Sequence, residues 1–281
     1  MRDHETMMTL IREVASKRED VRAVVMNGSR VTDPCKDAYQ DYDIVYFVTD
    51  FESFIESRAW IDVFGERLMM HTSDDMVFHP ASMENGTMFQ MLFKDKNRID
   101  LLIKPVEVFD QHIQENRNYE VLVDKDSLSK DIPSPSREQF SIQKPTERVF
   151  TSCVKELLWV APYIAKGLCR GEMLYALNHL SHIRENVLAL LKWRAGVENG
   201  FDTILKKAAD DFDEYLDVSM VKRYYTTYTD ANPASIWHAL FMILDLAEEN
   251  AWFLSNKLGY PDVLGPLFGL RKYLKTLKEE C

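Results

Sequence analysis

The spacing of apolar residues changes character once along this chain, across residues 131–146, where Pro133, Pro135 and Pro145 interrupt any regular element. Before that break the apolar residues come in short β-branched or alternating runs, at 21–26, 44–49, 87–93, 98–103 and 121–123. After it they recur every three or four residues, as helices require. A chain so divided predicts an α+β domain over residues 1–135 and an all-helical domain over 145–281. Its 281 residues are enough for two cores.

The elements follow from the same patterns. Met7, Leu10, Ile11, Val14 and Ala15 form one stripe, which predicts an amphipathic helix over residues 5–17. Residues 51–58 predict a short helix behind Asp50, and the later part of 61–70 a strand. Residues 72–86, with His79-Pro80 and Asn85-Gly86, read as a loop. Residues 87–93 and 98–103 form a hairpin across Lys94-Asp95-Lys96-Asn97. In the second half, helices are expected over 147–164, over 172–195 with an end at Gly196, from Asn232-Pro233 to Leu258-Gly259, and over 269–278.

Residues 24–48 carry the most chemistry. A strand ends at Asn27-Gly28, a polar segment follows, and Asp41 and Asp43 stand just before the next apolar strand. Alternation along a strand points residues two apart the same way. Two like charges side by side are costly unless a cation lies between them, and a hard divalent ion such as Mg²⁺ prefers oxygen ligands. Gly28 allows backbone to approach a phosphate, and the Ser29 hydroxyl and N–H can donate to it. Asp100 interrupts the apolar run Ile99, Leu101, Leu102, Ile103, where a buried charge needs a partner. It is the candidate third carboxylate; Asp74, Asp75 and Glu84 are weaker, being in a loop.

Composition narrows the partners. The formal net charge is -11, with 17 basic against 27 acidic residues in 1–140 and near balance beyond. An acidic first half repels nucleic acid and attracts Mg²⁺ and polycationic small molecules. Cys35, Cys153, Cys169 and Cys281 show no paired or metal-ligand spacing, which suits a reducing cytoplasm. The N-terminal residues are too charged for a secretory signal, and no run approaches a membrane span.

In the helical half, His179, His182 and Glu185 share a helix face but lack the zincin spacing. Such a face reads as polar lining of a cleft rather than a zinc site. Glu172, Asn178 and His182 are the candidates to meet a cationic substrate. The acidic run 210–214 reads as a solvated helix face, and most of the Trp and Tyr as core.

The ordered set of strand, Gly28-Ser29, Asp41-x-Asp43 and apolar strand resembles the signature of the DNA polymerase β-like nucleotidyltransferase superfamily. Further blocks make the resemblance narrower: Asn27-Gly28-Ser29-Arg30, Gln40-Asp41-Tyr42-Asp43-Ile44-Val45, residues 60–65 and 88–93, Arg98-Ile99-Asp100-Leu101, residues 162–168, and Trp193-Arg194-Ala195-Gly196. Together these resemble the aminoglycoside 6-adenylyltransferases, also called streptomycin adenylyltransferases, over nearly the whole chain.

The resemblance implies a polymerase β-like mixed sheet with flanking helices, followed by a helical bundle. It implies transfer of AMP from ATP to a hydroxyl of streptomycin, with Mg²⁺ on Asp41, Asp43 and Asp100 and the phosphates on Gly28 and Ser29, helped by Arg30. Relatives carry a Gly-Lys and a further Lys in the stretch here occupied by residues 205–210. Lys207 matches one lysine, and Asp210 stands in place of the other, which weakens the triphosphate contact assigned there. Two rivals share the scaffold: a nucleotidyltransferase acting on another small-molecule or protein hydroxyl, and a non-enzymatic, antitoxin-like member. The latter predicts loss of the Gly-Ser turn or the Asp pair, and both are present.

Overall fold

The computed structural model describes residues 1–32, 37, 39–78, 86–206, 209 and 211–281. It divides into two compact units, Met1–Gln139 and Phe140–Cys281. Cys35, Glu84, Lys207, Asp210 and the expected loop features His79-Pro80 and Asn85 lie outside the described residues.

The first unit is built on a six-stranded mixed sheet in the order β3-β4-β5-β2-β1-β6. The strands are β1 (Val21–Asn27), β2 (Tyr42–Val48), β3 (Arg67–Thr72), β4 (Thr87–Phe93), β5 (Arg98–Pro105) and β6 (Glu120–Asp124). Among the described residues only β2 and β5 pair in parallel, which brings two segments far apart in sequence into the centre of the sheet.

One face of this sheet is apolar throughout. Tyr42, Ile44, Tyr46 and Val48 of β2 and Ile99, Leu101 and Ile103 of β5 pack there with Phe89, Met91 and Phe93 of β4. Helix α1 (His4–Lys17) covers it through Met7, Met8, Ile11, Val14 and Ala15, the stripe that its spacing predicts. Asp3 caps that helix by accepting the Thr6 N–H at 2.8 Å.

The opposite face is apolar only at one end. There Ala23, Val25, Val45 and Phe47 pack against Phe109 and Ile113 of a short helix (Phe109–Glu115) that the sequence pattern does not reveal. The other end is polar and carries the site.

Among the described residues the second unit's regular elements are helices, apart from one isolated bridge, Ser141 to Ile204. Its long helices span Glu147–Cys169, Met173–Asn199, Pro233–Leu258 and Leu267–Glu280, and a shorter one spans Val218–Tyr225. The first runs past the expected end at 164 and through Pro162, because Ala161, Ile164, Ala165 and Leu168 continue its buried stripe. The second passes Gly196 and stops at Gly200, whose φ of 103° ends it. Pro233 follows the Asn232 cap, as predicted.

Two expectations are corrected in this unit. The acidic run is a solvated face only in part: Asp213 and Glu214 are exposed on a short 3-10 turn, but Asp211 and Phe212 are buried, and both Asp211 oxygens accept the Lys206 N–H at 3.0 Å. Cys169 and Cys281, which share no recognisable spacing, are joined as a disulfide across 112 residues of chain. Cys153 is a free thiol whose pKa burial raises to about 11.

Candidate active site

The polar end of the sheet is a row of side chains, one from each of four adjacent strands. Asn27 pairs with Asp43, Asp43 with Asp100, and Asp100 with Gln90. Each pair is directly opposed in the ladder, so the four side chains share one face at the strand spacing of about 4.8 Å. The alternation that buries Ile99 and Leu101 turns Arg98 and Asp100 to this face. The Asp that interrupts an apolar strand therefore stands beside Asp43.

Asp41 lies one residue before β2. Its carboxylate meets the Arg98 guanidinium, with Oδ2 at 3.5 Å from Nη1. Burial raises its pKa, Arg98 opposes that shift, and the Asp100 charge adds to it. Asp100 accepts from Arg98 Nε and Nη2, each at 2.7 Å, and from the Gln90 amide at 3.2 Å. The hydrogen bond to Asp100, with the charges of Asp100, Asp41 and Asp43, raises the Arg98 pKa further.

Gly28 sits where the row meets the turn. Its φ is +77°, and a Cβ there would lie 1.8 Å from Asp43 Oδ2, so the Asp43 carboxylate occupies the space that only glycine leaves. The turn is tied from behind. Asn118 donates its amide to the Gly28 carbonyl at 2.9 Å, and Asn27 donates to the Asn118 carbonyl at 2.9 Å. Asn27 Oδ1 lies 3.0 Å from His112 Nε2, which must therefore carry the ring proton. His112 Nδ1 is buried without a hydrogen-bond partner among the described residues, and burial lowers the imidazole pKa to about 4.

Arg30 is placed differently from the expectation of a phosphate helper. It is only 4 % exposed. Its guanidinium lies 3.9 Å over the Tyr42 ring, donates to the Asp41 carbonyl at 3.0 Å and donates to the Gln40 carbonyl. It holds the approach to the Asp pair. Asp74 and Asp75 serve locally, pairing with Arg58 at 3.1 Å and capping Thr72.

The three carboxylates offer only oxygen, which fits a hard divalent cation. A guanidinium already lies against two of them, so the place attracts positive charge. Among the described residues, no three His, Cys, Asp or Glu side chains are gathered closely enough to hold an ion as they stand. Arg98 would have to move first.

In the helical unit, Glu172 precedes the Met173–Asn199 helix and pairs with Arg170 at 2.8 Å. His182 lies 3.2 Å from Glu156, on the preceding helix. Asn178 is exposed on the same helix. The His179 ring packs edge-on against Tyr175, with centroids 4.4 Å apart, and tilts against Tyr163. His179 thus joins an aromatic surface with Trp159, which is 70 % exposed and donates to the Tyr163 hydroxyl at 3.0 Å. Helical spacing keeps Glu172 off the face of Asn178 and His182.

The profile of the streptomycin adenylyltransferases matches residues 1–277, across both units. This chain belongs to the streptomycin adenylyltransferase family. It is 34 % identical over 263 residues to an aminoglycoside 6-adenylyltransferase of Bacillus subtilis, covering 92 % of this chain and 93 % of that one. It is 32 % identical over 262 residues to one of Campylobacter jejuni, covering 92 % and 91 %. A crystal structure of an aminoglycoside 6-adenyltransferase from Bacillus subtilis is similar at 30 % identity and a TM-score of 0.47, over 99 % of each chain.

As a streptomycin adenylyltransferase family member the chain is a nucleotidyltransferase, and the paired Asp43 and Asp100 lie within the matched region. Arg98, Gln90, His112 and Asn118 are the site's unpredicted parts. Arg98 was within reach of the sequence, since it stands two residues before Asp100 on one strand. Asn118 and His112 reach the turn only through the packing of a helix and loop some 90 residues downstream.

Proposed function

We propose that this protein transfers AMP from ATP to a hydroxyl of an aminoglycoside, streptomycin at its 6-position, releases pyrophosphate and so inactivates the drug. The observation that carries this reading is the direct pairing of Asp43 with Asp100, with the Asp43 carboxylate packed against the Gly28 turn. The streptomycin adenylyltransferase match over residues 1–277 supports it.

Asp41 and Asp43 would hold Mg²⁺, with Asp100 as the third acid. The ion, when bound, would neutralise charge on the phosphates and on the leaving pyrophosphate. Gly28 and Ser29 present backbone and hydroxyl donors to the phosphates, and the Asn118 bond to the Gly28 carbonyl keeps that turn in one shape. Asp100 accepts the proton of the attacking hydroxyl once Arg98 has released it. Arg30 acts on the carboxylates indirectly, through the carbonyls of Gln40 and Asp41. Lys207 is the remaining nucleotide-binding candidate, proposed on the resemblance alone.

Glu172, Asn178 and His182 are proposed to bind the drug from the helical unit. Glu172 already holds a guanidinium, that of Arg170, and a substrate guanidinium has the same fork of donors. The test is incubation of the purified protein with ATP, Mg²⁺ and a panel of aminoglycosides, read by mass. The expected product is streptomycin heavier by one AMP. Unmodified drug throughout the panel, with correctly folded protein, would refute the proposal.

A further inference from the structure

Arg98 is a charged side chain at the carboxylates that carries no chemical step of the proposed reaction. Its geometry is that of a bound cation. Two of its nitrogens grip Asp100 and a third faces Asp41 at 3.5 Å. With Gln90 as an additional donor, Asp100 accepts three hydrogen bonds, one at Oδ1 and two at Oδ2. Asp100 is the most enclosed member of this ion-pair group, with its side chain 14 % exposed, while that of Arg98 is 39 % exposed. The guanidinium thus has a path to water that the carboxylate lacks. It also follows the turn residues Lys94–Asn97 at the very start of β5, where a long side chain can swing without disturbing the ladder.

We propose that Arg98 is an internal counter-ion that competes with the divalent metal for Asp41 and Asp100, so that the metal enters only as the guanidinium leaves. This rests on the reading that these carboxylates hold the metal. The guanidinium stays charged at any working pH, so the exchange is one cation for another and needs no proton. In the metal-free protein it offsets the repulsion among Asp41, Asp43 and Asp100. It lowers metal affinity by the strength of a two-pronged, charge-assisted pair that must first be broken.

The test measures metal binding in the absence of nucleotide, with Mn²⁺ as probe, by calorimetry and by the spin-resonance signal of the free ion. Arg98→Gln removes the competing charge and is expected to bind Mn²⁺ at least about tenfold more tightly than the unaltered protein. Arg98→Lys keeps a charge but loses the fork, and is expected to fall between the two. The melting temperature of metal-free Arg98→Gln should fall, and Mn²⁺ should raise it by more than it raises that of the unaltered protein. A merely structural Arg98 would lower the melting temperature and leave Mn²⁺ affinity where it was, which would overturn the proposal. If neither protein binds Mn²⁺, the metal reading fails with it. If both bind it equally and adenylylation still occurs, only the competition is refuted.

Discussion

Asn118 and Gly28 stand 90 residues apart in sequence, and the side-chain amide of the first donates to the carbonyl oxygen of the second at 2.9 Å. The bond belongs to a relay that begins at His112 and passes through Asn27 and the Asn118 carbonyl. Its effect is to add a side-chain support to the Gly28 turn, whose carbonyl also accepts from the Val31 N–H at 3.2 Å. Removing the amide should loosen nucleotide binding more than chemistry. Asn118→Ala is expected to raise KM for ATP by about tenfold, the effect of roughly one lost buried hydrogen bond, with a smaller change in kcat. Steady-state kinetics with ATP varied would check it.

The relay also sets a pH dependence. Burial holds the His112 imidazole at a pKa of about 4, below its ordinary value in an unfolded chain. The unfolded protein therefore binds the extra proton first. The stability that neutral His112 contributes is complete above about pH 6.5 and is lost as pH falls towards 4, by up to roughly 3 kcal/mol. Denaturant unfolding between pH 4 and 7 should show this slope, and His112→Gln should flatten it.

Gly28 tolerates no side chain. Gly28→Ala would force a Cβ into the Asp43 carboxylate at a φ of +77°. The expected result is loss of at least about a hundredfold in kcat/KM, since a misplacement of order 1 Å at a reacting group suffices for that. The melting temperature should fall as well, by the strain of an L-residue at positive φ together with the displaced carboxylate.

Asp43→Asn separates charge from shape. The amide fits the space against Gly28 but supplies no full negative charge. Transfer should vanish while the melting temperature stays near that of the unaltered protein. An active Asp43→Asn enzyme, assayed for the AMP adduct by mass, would remove Asp43 from the site.

The disulfide between Cys169 and Cys281 ties the end of the Glu147–Cys169 helix to the terminal helix across 112 residues. Cys281→Ser should destabilise the protein by about 2–4 kcal/mol, the usual contribution of a bridge closing a long loop. Reductant should lower the melting temperature of the unaltered protein to that of the variant and leave the variant unchanged.

Much of this fold was legible because its pattern is local. The alternation in residues 98–103 and the turn at Lys94–Asn97 mark the β4–β5 hairpin, and the stripe from Met7 to Ala15 marks the first helix. The short helix Phe109–Glu115 was not legible, because a helix of that length carries barely one repeat of its period. The parallel pairing of β2 with β5 is likewise invisible in either strand alone. At the site, Gly28, Asp43 and Asp100 were readable as departures from an apolar context. The direction of the Arg30 side chain was not legible, because adjacency to the turn in sequence does not set it; the Gln40 and Asp41 carbonyls do. Cys169 and Cys281 were misread for a related reason: a bridge between distant helices leaves no spacing to find.

The row from Asn27 to Gln90 has one more consequence. A slip of one residue along β5 would exchange Arg98 and Asp100 for Ile99 and Leu101, exposing apolar side chains and burying charge in the same movement. A misaligned molecule would therefore fail as a solid body before it could fail as a catalyst. Cellular surveillance that removes unstable chains would, with no knowledge of the reaction, deliver only copies whose carboxylates are aligned.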